Sequence, residues 1–96
     1  VMWKIKENAL GKTKTEICAQ MQQELMSLPA QIKEIKHMDV VCNSPGCPQD
    51  NYDVMLDTQF ETVADLNLYQ QHPAHIQVGS FIKQVVAMRA CIDYTI

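Results

Sequence analysis

The segment Tyr69-Gln-Gln-His-Pro-Ala-His75 places a proline inside an otherwise helical pattern. Proline is tolerated in the first turn of a helix, whereas in a helix interior it removes a backbone hydrogen bond and clashes with the preceding turn. We therefore predict that one helix ends at His72 and that a second helix begins at Pro73. Tyr69 and His75 would point in different directions on a straight helix, so the break lets their side chains converge.

Four segments around this break alternate between apolar and polar residues, the period of two that is typical of half-buried strands. They are residues 1–6, 35–42, 52–60 and 88–96. The loop 43–51 is rich in turn-forming residues and separates the second strand from the third. In the last strand, the alternation predicts that four residues face the core: Ala90, Ile92, Tyr94 and Ile96.

Two further regions have the spacing of amphipathic helices. The first has an apolar stripe composed of Ile17, Met21, Leu25 and Leu28. Thr13 or Thr15 can cap its start, and Pro29 is expected to end it, because the residue before a proline is disfavoured in the helical conformation. The second region starts at a Thr62-Val-Ala-Asp65 cap and continues through the break. Its second helix carries the apolar residues Ile76, Phe81, Ile82 and Val85.

The resulting order of elements, β-α-β-β-α-β, predicts an α+β fold of the ferredoxin-like type with an antiparallel sheet. No repeat or linker divides the chain, so residues 1–96 are predicted to form a single domain. With the helices on one face of the sheet, the other face mixes apolar residues such as Met2 and Met55 with charged residues such as Lys4 and Asp57. That face is too apolar for exposure to solvent. We therefore predict a homodimer in which the sheet faces of two copies pack together.

Composition and charge narrow the range of partners. The chain has 96 residues, of which 47% are hydrophobic and 20% are charged, as in ordinary globular proteins. Its net charge of −3 argues against nucleic acids and anionic membranes as partners. No apolar run approaches the roughly 18 residues that span a bilayer, and no secretion signal is visible, so we predict a cytoplasmic protein. The chain begins within a strand pattern, and this prediction does not extend to residues upstream of Val1.

The chain contains four cysteines, Cys18, Cys42, Cys47 and Cys91. Because most of them lie in apolar patterns, we predict buried reduced thiols that act as small hydrophobic residues. The alternative is a disulfide or a metal pair formed by Cys42 and Cys47, although this spacing lacks two further ligands for zinc. His72 and His75 likewise form a pair without a third ligand. We therefore predict neither a metal site nor a cofactor.

Five short regions, in this order and spacing, resemble the stress-responsive A/B-barrel domains, which are also called dimeric α+β barrel proteins. They are Val1-Met-Trp-Lys-Ile-Lys6, Asn51-Tyr-Asp-Val-Met-Leu-Asp57 with Phe60-Glu61, Tyr69-Gln-Gln-His-Pro-Ala-His75, Phe81-Ile-Lys83 and Ile92-Asp-Tyr94. The resemblance covers essentially the whole chain and implies a ferredoxin-like unit paired into a homodimer whose two sheets form a barrel. Most members have no assigned activity, some are induced by stress, and others build larger rings as structural subunits.

Plant polyketide cyclases that close olivetolic acid are similar in fold and in the Tyr-x-x-His-Pro-x-His motif. The resemblance implies that Tyr69 and His75 are catalytic and that Asp93 contributes. A further cyclase histidine near the first strand would precede Val1. The first helix differs from the cyclases in the region of their aromatic pocket wall, so the same substrate is not expected.

Tyr69 and His75 are of the residue types that proton transfer requires. A histidine in the first turn of a helix feels the positive end of the helix dipole, which favours the neutral imidazole that acts as a general base. A tyrosine hydroxyl can donate a hydrogen bond to a carbonyl oxygen on which negative charge develops.

Three hypotheses about function therefore remain open. The protein is a homodimer with a pocket for a small hydrophobic or aromatic ligand and no assigned activity, or it is an enzyme of the cyclase or isomerase type. In the third, the protein is a purely structural subunit of a larger assembly. The alternative to a catalytic role is that His72-Pro73 is only a structural helix break, with Tyr69 packed at a subunit interface and His75 hydrogen-bonded to the backbone.

Overall fold

The computed structural model describes residues 1–96. The chain forms four strands: β1 (Met2–Ile5), β2 (His37–Cys42), β3 (Val54–Gln59) and β4 (Val86–Ala90). It also forms three α-helices: α1 (Lys14–Met26), α2 (Val63–Gln71) and α3 (Pro73–Val85). A short 3₁₀ turn, Ala9–Gly11, leads into α1. The predicted order of elements is confirmed, with the second helical region divided at the proline.

The four strands form one antiparallel sheet in the order β2-β3-β1-β4. β1 and β2 are connected through α1, and β3 and β4 are connected through α2 and α3. Each connection therefore crosses over a strand that lies between the two it joins. This is the ferredoxin-like arrangement predicted from the sequence. None of the helices combines the length and the apolarity needed to cross a membrane.

Alternation along the strands directs one row of side chains toward the helices. Trp3 and Ile5 of β1 and Val54 and Leu56 of β3 are buried, and they belong with Met21 of α1 to one cluster of 16 buried residues. All members of this cluster are hydrophobic. The cluster keeps the strands in register, because a slip by one residue would turn the whole apolar row to the other face.

Thr13, rather than Thr15, caps α1. Its hydroxyl accepts a hydrogen bond from the backbone N–H of Glu16 (3.2 Å), and the Glu16 carboxylate accepts one from the backbone N–H of Thr13 (3.0 Å). The two bonds form a capping box, which satisfies two donors that the helix itself leaves unpaired.

Replacing Thr13 with alanine is expected to lower the free energy of unfolding by about 1 kcal/mol, because the N–H of Glu16 loses its acceptor. Urea denaturation followed by circular dichroism measures the change. Thr15→Ala is the matched control, since Thr15 is exposed in the first turn and caps nothing, and alanine is the better helix former. Equal losses in the two variants would contradict the assignment of the cap.

α1 ends earlier than the sequence predicted. Its last residue is Met26, three positions before Pro29. The hydroxyl of Ser27 donates a hydrogen bond to the carbonyl of Glu24 (2.6 Å), and the backbone N–H of Ser27 donates to the same carbonyl. Both bonds satisfy an acceptor of the last turn, and the helix ends there. Leu28 is nevertheless buried, as predicted, because the turn that follows returns it to the core.

The predicted last strand is wrong in its extent. β4 covers only Val86–Ala90, and residues 91–96 have no regular structure. The pairing places Ala90 opposite Met2, so Ala90 lies on the face that points away from the helices, and only Val1 remains to pair beyond it. Three residues predicted to face the core, Ile92, Tyr94 and Ile96, are instead 78%, 75% and 97% exposed.

The sheet face that points away from the helices, called the outer face below, carries an apolar row across all four strands. Its members are register partners in the order Val41, Met55, Met2 and Ala90. Beside this row, Asp39 and Asp57 lie directly opposite each other on β2 and β3. A like-charge pair in this position costs roughly 0.2–1 kcal/mol in an isolated sheet. The outer face thus has the mixed character that the sequence predicted.

Candidate functional site

The break between α2 and α3 is built by His72. Its Nδ1 accepts a hydrogen bond from the backbone N–H of Ala74 (3.1 Å), and its own N–H bonds the carbonyl of Tyr69 at the end of α2 (3.2 Å). His72 has an extended backbone, and Pro73 occupies the first helical position, where no N–H is needed. The predicted break is confirmed, and the His72 side chain serves as its cap.

The break brings Tyr69 and His75 together. Their ring centroids lie 4.4 Å apart at an interplanar angle of 57°. On its other side Tyr69 contacts Phe60, with centroids 4.9 Å apart and an angle of 48°. The sequence analysis placed Phe60 in a strand and among the segments of the family resemblance, but it did not connect Phe60 with this pair. Its position two residues before the Thr62 cap, where the chain leads into α2 and Tyr69, is the signal that connects it to this site.

Two polar atoms of the Tyr69–His75 pair are buried without a hydrogen-bond partner: the hydroxyl oxygen of Tyr69 and Nδ1 of His75. Tyr69 is only 4% exposed and belongs to the hydrophobic core. Leaving such a group unpaired typically costs about 1–3 kcal/mol, and native proteins pair nearly all of them. Only one other side-chain atom of the chain is buried in this way, Oε2 of Glu24. Two unpaired atoms in one contact therefore make this pair the strongest candidate for a binding site.

Burial determines the protonation states of the pair. It raises the pKa of Tyr69 to about 12, so the phenol remains a neutral donor. It also lowers the pKa of His75 below its ordinary value of 6.5, and a backbone contact with Gln70 opposes the shift only in part. The neutral imidazole predicted for His75 therefore results chiefly from burial. A neutral donor beside a neutral acceptor can bind a hydroxyl or carbonyl group, or accept a proton from one.

The lowered pKa of His75 predicts a specific loss of stability in acid. Above pH 6.5 the ring is neutral in both the folded and the unfolded chain, so it adds no pH dependence. As the pH falls from 6.5 through the folded pKa, the unfolded chain takes up the proton first, and the folded state is progressively destabilised. Replacing His75 with asparagine should flatten this part of the stability profile.

Urea denaturation across this pH range measures the effect. The matched control is His37→Asn, because His37 is exposed on β2 and lies outside the core. An unchanged profile in His75→Asn, or an equal flattening in His37→Asn, would contradict the role assigned to His75.

Asp93 is not bonded to this pair. It lies in the exposed segment 91–96, where its carboxylate accepts a weak hydrogen bond from the thiol of Cys91 (3.7 Å). Neither the Tyr69 hydroxyl nor Nδ1 of His75 is within bonding distance of it. The contribution of Asp93 stays a prediction that the resemblance alone supports.

No three side chains of the ligand types His, Cys, Asp and Glu come together in a way that could hold a metal ion. The alternative metal pair of His72 and His75 meets a further obstacle, because Nδ1 of His72 is used to cap α3.

Two surface concavities lie away from the Tyr69–His75 pair. One, of about 610 Å³, is a shallow polar groove along α1 lined by residues such as Lys12 and Gln23. The other, of about 440 Å³, lies where the loop after β2 meets the apolar row of the outer face. Neither of these two concavities is lined by Tyr69 or His75.

The cysteines differ from the predicted set of buried thiols. All four are free. Cys18 is buried and Cys42 is half-buried, and burial raises the pKa of both thiols. Cys47 and Cys91 are exposed, because they lie in a loop and beyond the end of β4 rather than in regular elements. The alternative link between Cys42 and Cys47 is not formed.

Two crystal structures are similar to this fold over nearly the whole chain. One is a dimeric protein of unknown function with a ferredoxin-like fold from Bacteroides fragilis, with a TM-score of 0.86 and 24% identity, covering 99% of this chain and 90% of that one. The other is a dimeric ferredoxin-like protein of unknown function from Thermobifida fusca, with a TM-score of 0.82 and 22% identity, covering 99% and 85%. At these identities the likeness shows the fold alone.

No curated protein matches the chain significantly. The sequence pattern of the stress responsive A/B barrel domain, in contrast, matches residues 1–96. The match includes the strands, the broken helix and the Tyr69–His75 pair, in agreement with the resemblance drawn from the five sequence segments. The chain belongs to the stress-responsive A/B barrel domain family.

Proposed function

We propose that this protein is a homodimeric A/B barrel that binds a small uncharged ligand through Tyr69 and His75. One observation carries the proposal: the Tyr69 hydroxyl and Nδ1 of His75 are buried without partners in rings that contact each other. A ligand that accepts a hydrogen bond from the phenol and donates one to the imidazole would satisfy both groups. A hydroxyl and a carbonyl group on a small aromatic ring, placed too far apart to bond each other, have this pattern.

The ligand is expected to be uncharged because the surroundings are apolar. Phe60 covers one side of Tyr69, and the other core residues around it are hydrophobic. Moving an ionised carboxylate into such a region without a charged partner is costly. The same desolvation keeps Tyr69 and His75 in their neutral forms.

Replacing Tyr69 with phenylalanine should change stability and binding in opposite directions. The free protein should gain roughly 1 kcal/mol, because the variant removes a buried hydroxyl that has no partner. Binding of meta-hydroxyacetophenone, chosen as a probe whose one carbonyl and one hydroxyl cannot bond each other, should be lost. Urea denaturation and calorimetric titration measure the two effects.

Tyr94→Phe is the matched control for this experiment. Tyr94 is 75% exposed, so removing its hydroxyl should alter neither stability nor binding. A Tyr69→Phe variant that is less stable than the wild type would contradict the claim that the Tyr69 hydroxyl has no hydrogen-bond partner in the free protein. A variant that keeps the probe affinity would contradict the binding role.

A second candidate function is proton transfer at a carbon next to a carbonyl, as in the cyclases that the motif resembles. The protonation states favour it: neutral His75 would be the base, and Tyr69 would donate to the carbonyl oxygen as negative charge develops. Exchange of the α-hydrogens of a small ketone with heavy water, followed by NMR, tests it. The exchange should be lost in His75→Ala and kept in His37→Ala, and no exchange above the buffer rate in the wild type excludes this function.

The homodimer is proposed to form through the outer face. The apolar row there leaves Met2, Val41 and Met55 about 40% exposed, although all three belong to regular strands of the sheet. Helices cover only the opposite face, so a second copy is the simplest cover for a self-complementary patch of this kind. The two proteins of similar fold are described as dimers, which supports the same assembly for this chain.

A further inference from the structure

Charged residues of the outer face lie on opposite sides of its apolar row. On one side, Asp39 of β2 and Asp57 of β3 are direct register partners, and they are called the acidic pair below. On the other side, Lys4 of β1 lies opposite Met88 of β4. Each of the three charged residues is two positions from a member of the row on its own strand, so it shares the outer face. The face therefore changes sign along the direction of the strands.

These charges have no partner within the chain. Its ion pairs use Lys14 and Lys36 as their cations, and neither Lys4 nor the acidic pair takes part in one. Lys4 and Asp57 are separated by four residues along the strands, two on each side of the apolar row. At the rise of a strand this is roughly 13 Å, too far for a lysine and an aspartate side chain to meet.

The following inference rests on the homodimer proposed above, in which a second copy covers the outer face. In a closed twofold dimer both copies contribute the same patch. When two sheets pack face to face, the rotation axis lies between them and parallel to their planes. It can run along the strands or across them, and the two choices bring different charges together.

An axis along the strands keeps each end of the face against the same end of the other copy. The two acidic pairs would then meet, and four carboxylates would gather at one end of the interface. An axis across the strands, along the apolar row, exchanges the ends instead. Lys4 of each copy then faces the acidic pair of the other, and the apolar rows still lie on each other.

Like charges held together at an interface disfavour an arrangement, whereas opposite charges favour it and fix its orientation. We propose that the homodimer assembles with its axis along the apolar row, so that Lys4 contacts the partner's Asp39 and the partner's Asp57. This contact offsets the repulsion between the two aspartates of one sheet. The acidic pair, which costs stability in an isolated chain, thereby determines which surface the chain accepts and in which orientation.

Reversing the charge of Lys4 tests this pairing. Lys4→Glu brings a third carboxylate to each acidic pair, and we expect the dissociation constant of the dimer to rise about 10-fold or more at low salt. Adding Asp57→Lys to the same chain returns an opposite charge to the contact and should recover most of the lost affinity. Analytical ultracentrifugation over a dilution series measures the dissociation constants.

Lys83→Glu is the matched control. Lys83 is exposed on α3 in the helical layer, so the same change of charge there should leave the dissociation constant unchanged. Circular dichroism of each variant verifies that the sheet still forms.

A zero-length carbodiimide cross-link gives a direct readout, because it joins an amine to a carboxylate only where the two are in contact. The dimer is formed from a mixture of ¹⁵N-labelled and unlabelled chains, cross-linked, digested and analysed by mass spectrometry. Lys4 should be linked to Asp39 or Asp57, with one peptide labelled and the other unlabelled in part of the product. Absence of this mixed product would overturn the proposed contact.

The remaining outcomes separate the orientation from the dimer itself. A monomeric wild type overturns both. A wild-type dimer that Met55→Asp dissociates and Lys4→Glu leaves intact overturns the orientation and keeps the interface. A loss of affinity in Lys4→Glu that Asp57→Lys does not reduce also overturns the pairing.

Discussion

Replacing Met21 with alanine is expected to lower the free energy of unfolding by about 2–5 kcal/mol, because the removed atoms leave a cavity that the surrounding core fills only in part. Met21 is 0% exposed, and it lies in the stripe of α1 that packs against β1 and β2. A domain of this length is stabilised by roughly 5–15 kcal/mol in total. The substitution should therefore remove a large share of the folded population at moderate urea concentrations.

Met26→Ala provides the matched control on the same helix. Met26 is 43% exposed at the end of α1, so the same chemical change there should alter stability by less than about 0.5 kcal/mol. Urea denaturation of both variants measures the contrast. A loss in Met21→Ala no larger than that in Met26→Ala would mean that α1 does not pack on the sheet through this stripe.

Introducing aspartate at Met55 is expected to convert the proposed homodimer into monomers. Met55 lies in the middle of the apolar row of the outer face, beside Met2 on β1 and Val41 on β2. A carboxylate there would be buried without a partner in the dimer, close to Asp57 on the same strand. Burying an unpaired charge costs about 3–5 kcal/mol, which corresponds to a dissociation constant raised by roughly 100-fold or more.

Light scattering coupled to gel filtration measures this change. The side chain of Met55 is 43% exposed in the single chain, so the variant monomer should still fold. Leu68→Asp is the control, because Leu68 is an exposed apolar residue of α2 in the helical layer, away from the outer face. A monomeric wild type would overturn the dimer itself. A dimeric Met55→Asp variant would place the interface elsewhere on the chain.

Much of the fold follows from local sequence patterns. The alternation of Trp3, Val54 and Leu56 predicted the inward row of the strands, and the stripe through Met21 predicted the buried side of α1. Both patterns are strong because burial against a single hydrophobic core acts on every second or every third to fourth residue. Proline at position 73 marked the helix break for an equally local reason, since it has no N–H to donate.

Two other predictions were incomplete for different reasons. Thr13 and Thr15 were equally suitable caps by residue type, but only Thr13 has a glutamate three residues later, the spacing of the capping box that the structure contains. Ile76 belongs to an apolar helix pattern, yet it is exposed, because α3 turns Val78 and Ile82 toward the core instead.

For the candidate site, the sequence by itself determined that a break at Pro73 could bring Tyr69 and His75 together. Tertiary structure determined the hydrogen bonding and the protonation states of the two side chains. Burial against Phe60 and the core leaves two polar atoms unpaired and keeps both rings neutral. Tertiary structure also decided the end of β4, because the pairing partner of a strand is set by register across the sheet rather than by the strand's own alternation. Helix breaks and apolar periodicity are properties of neighbouring residues, whereas burial, register and unpaired groups arise only when distant segments meet.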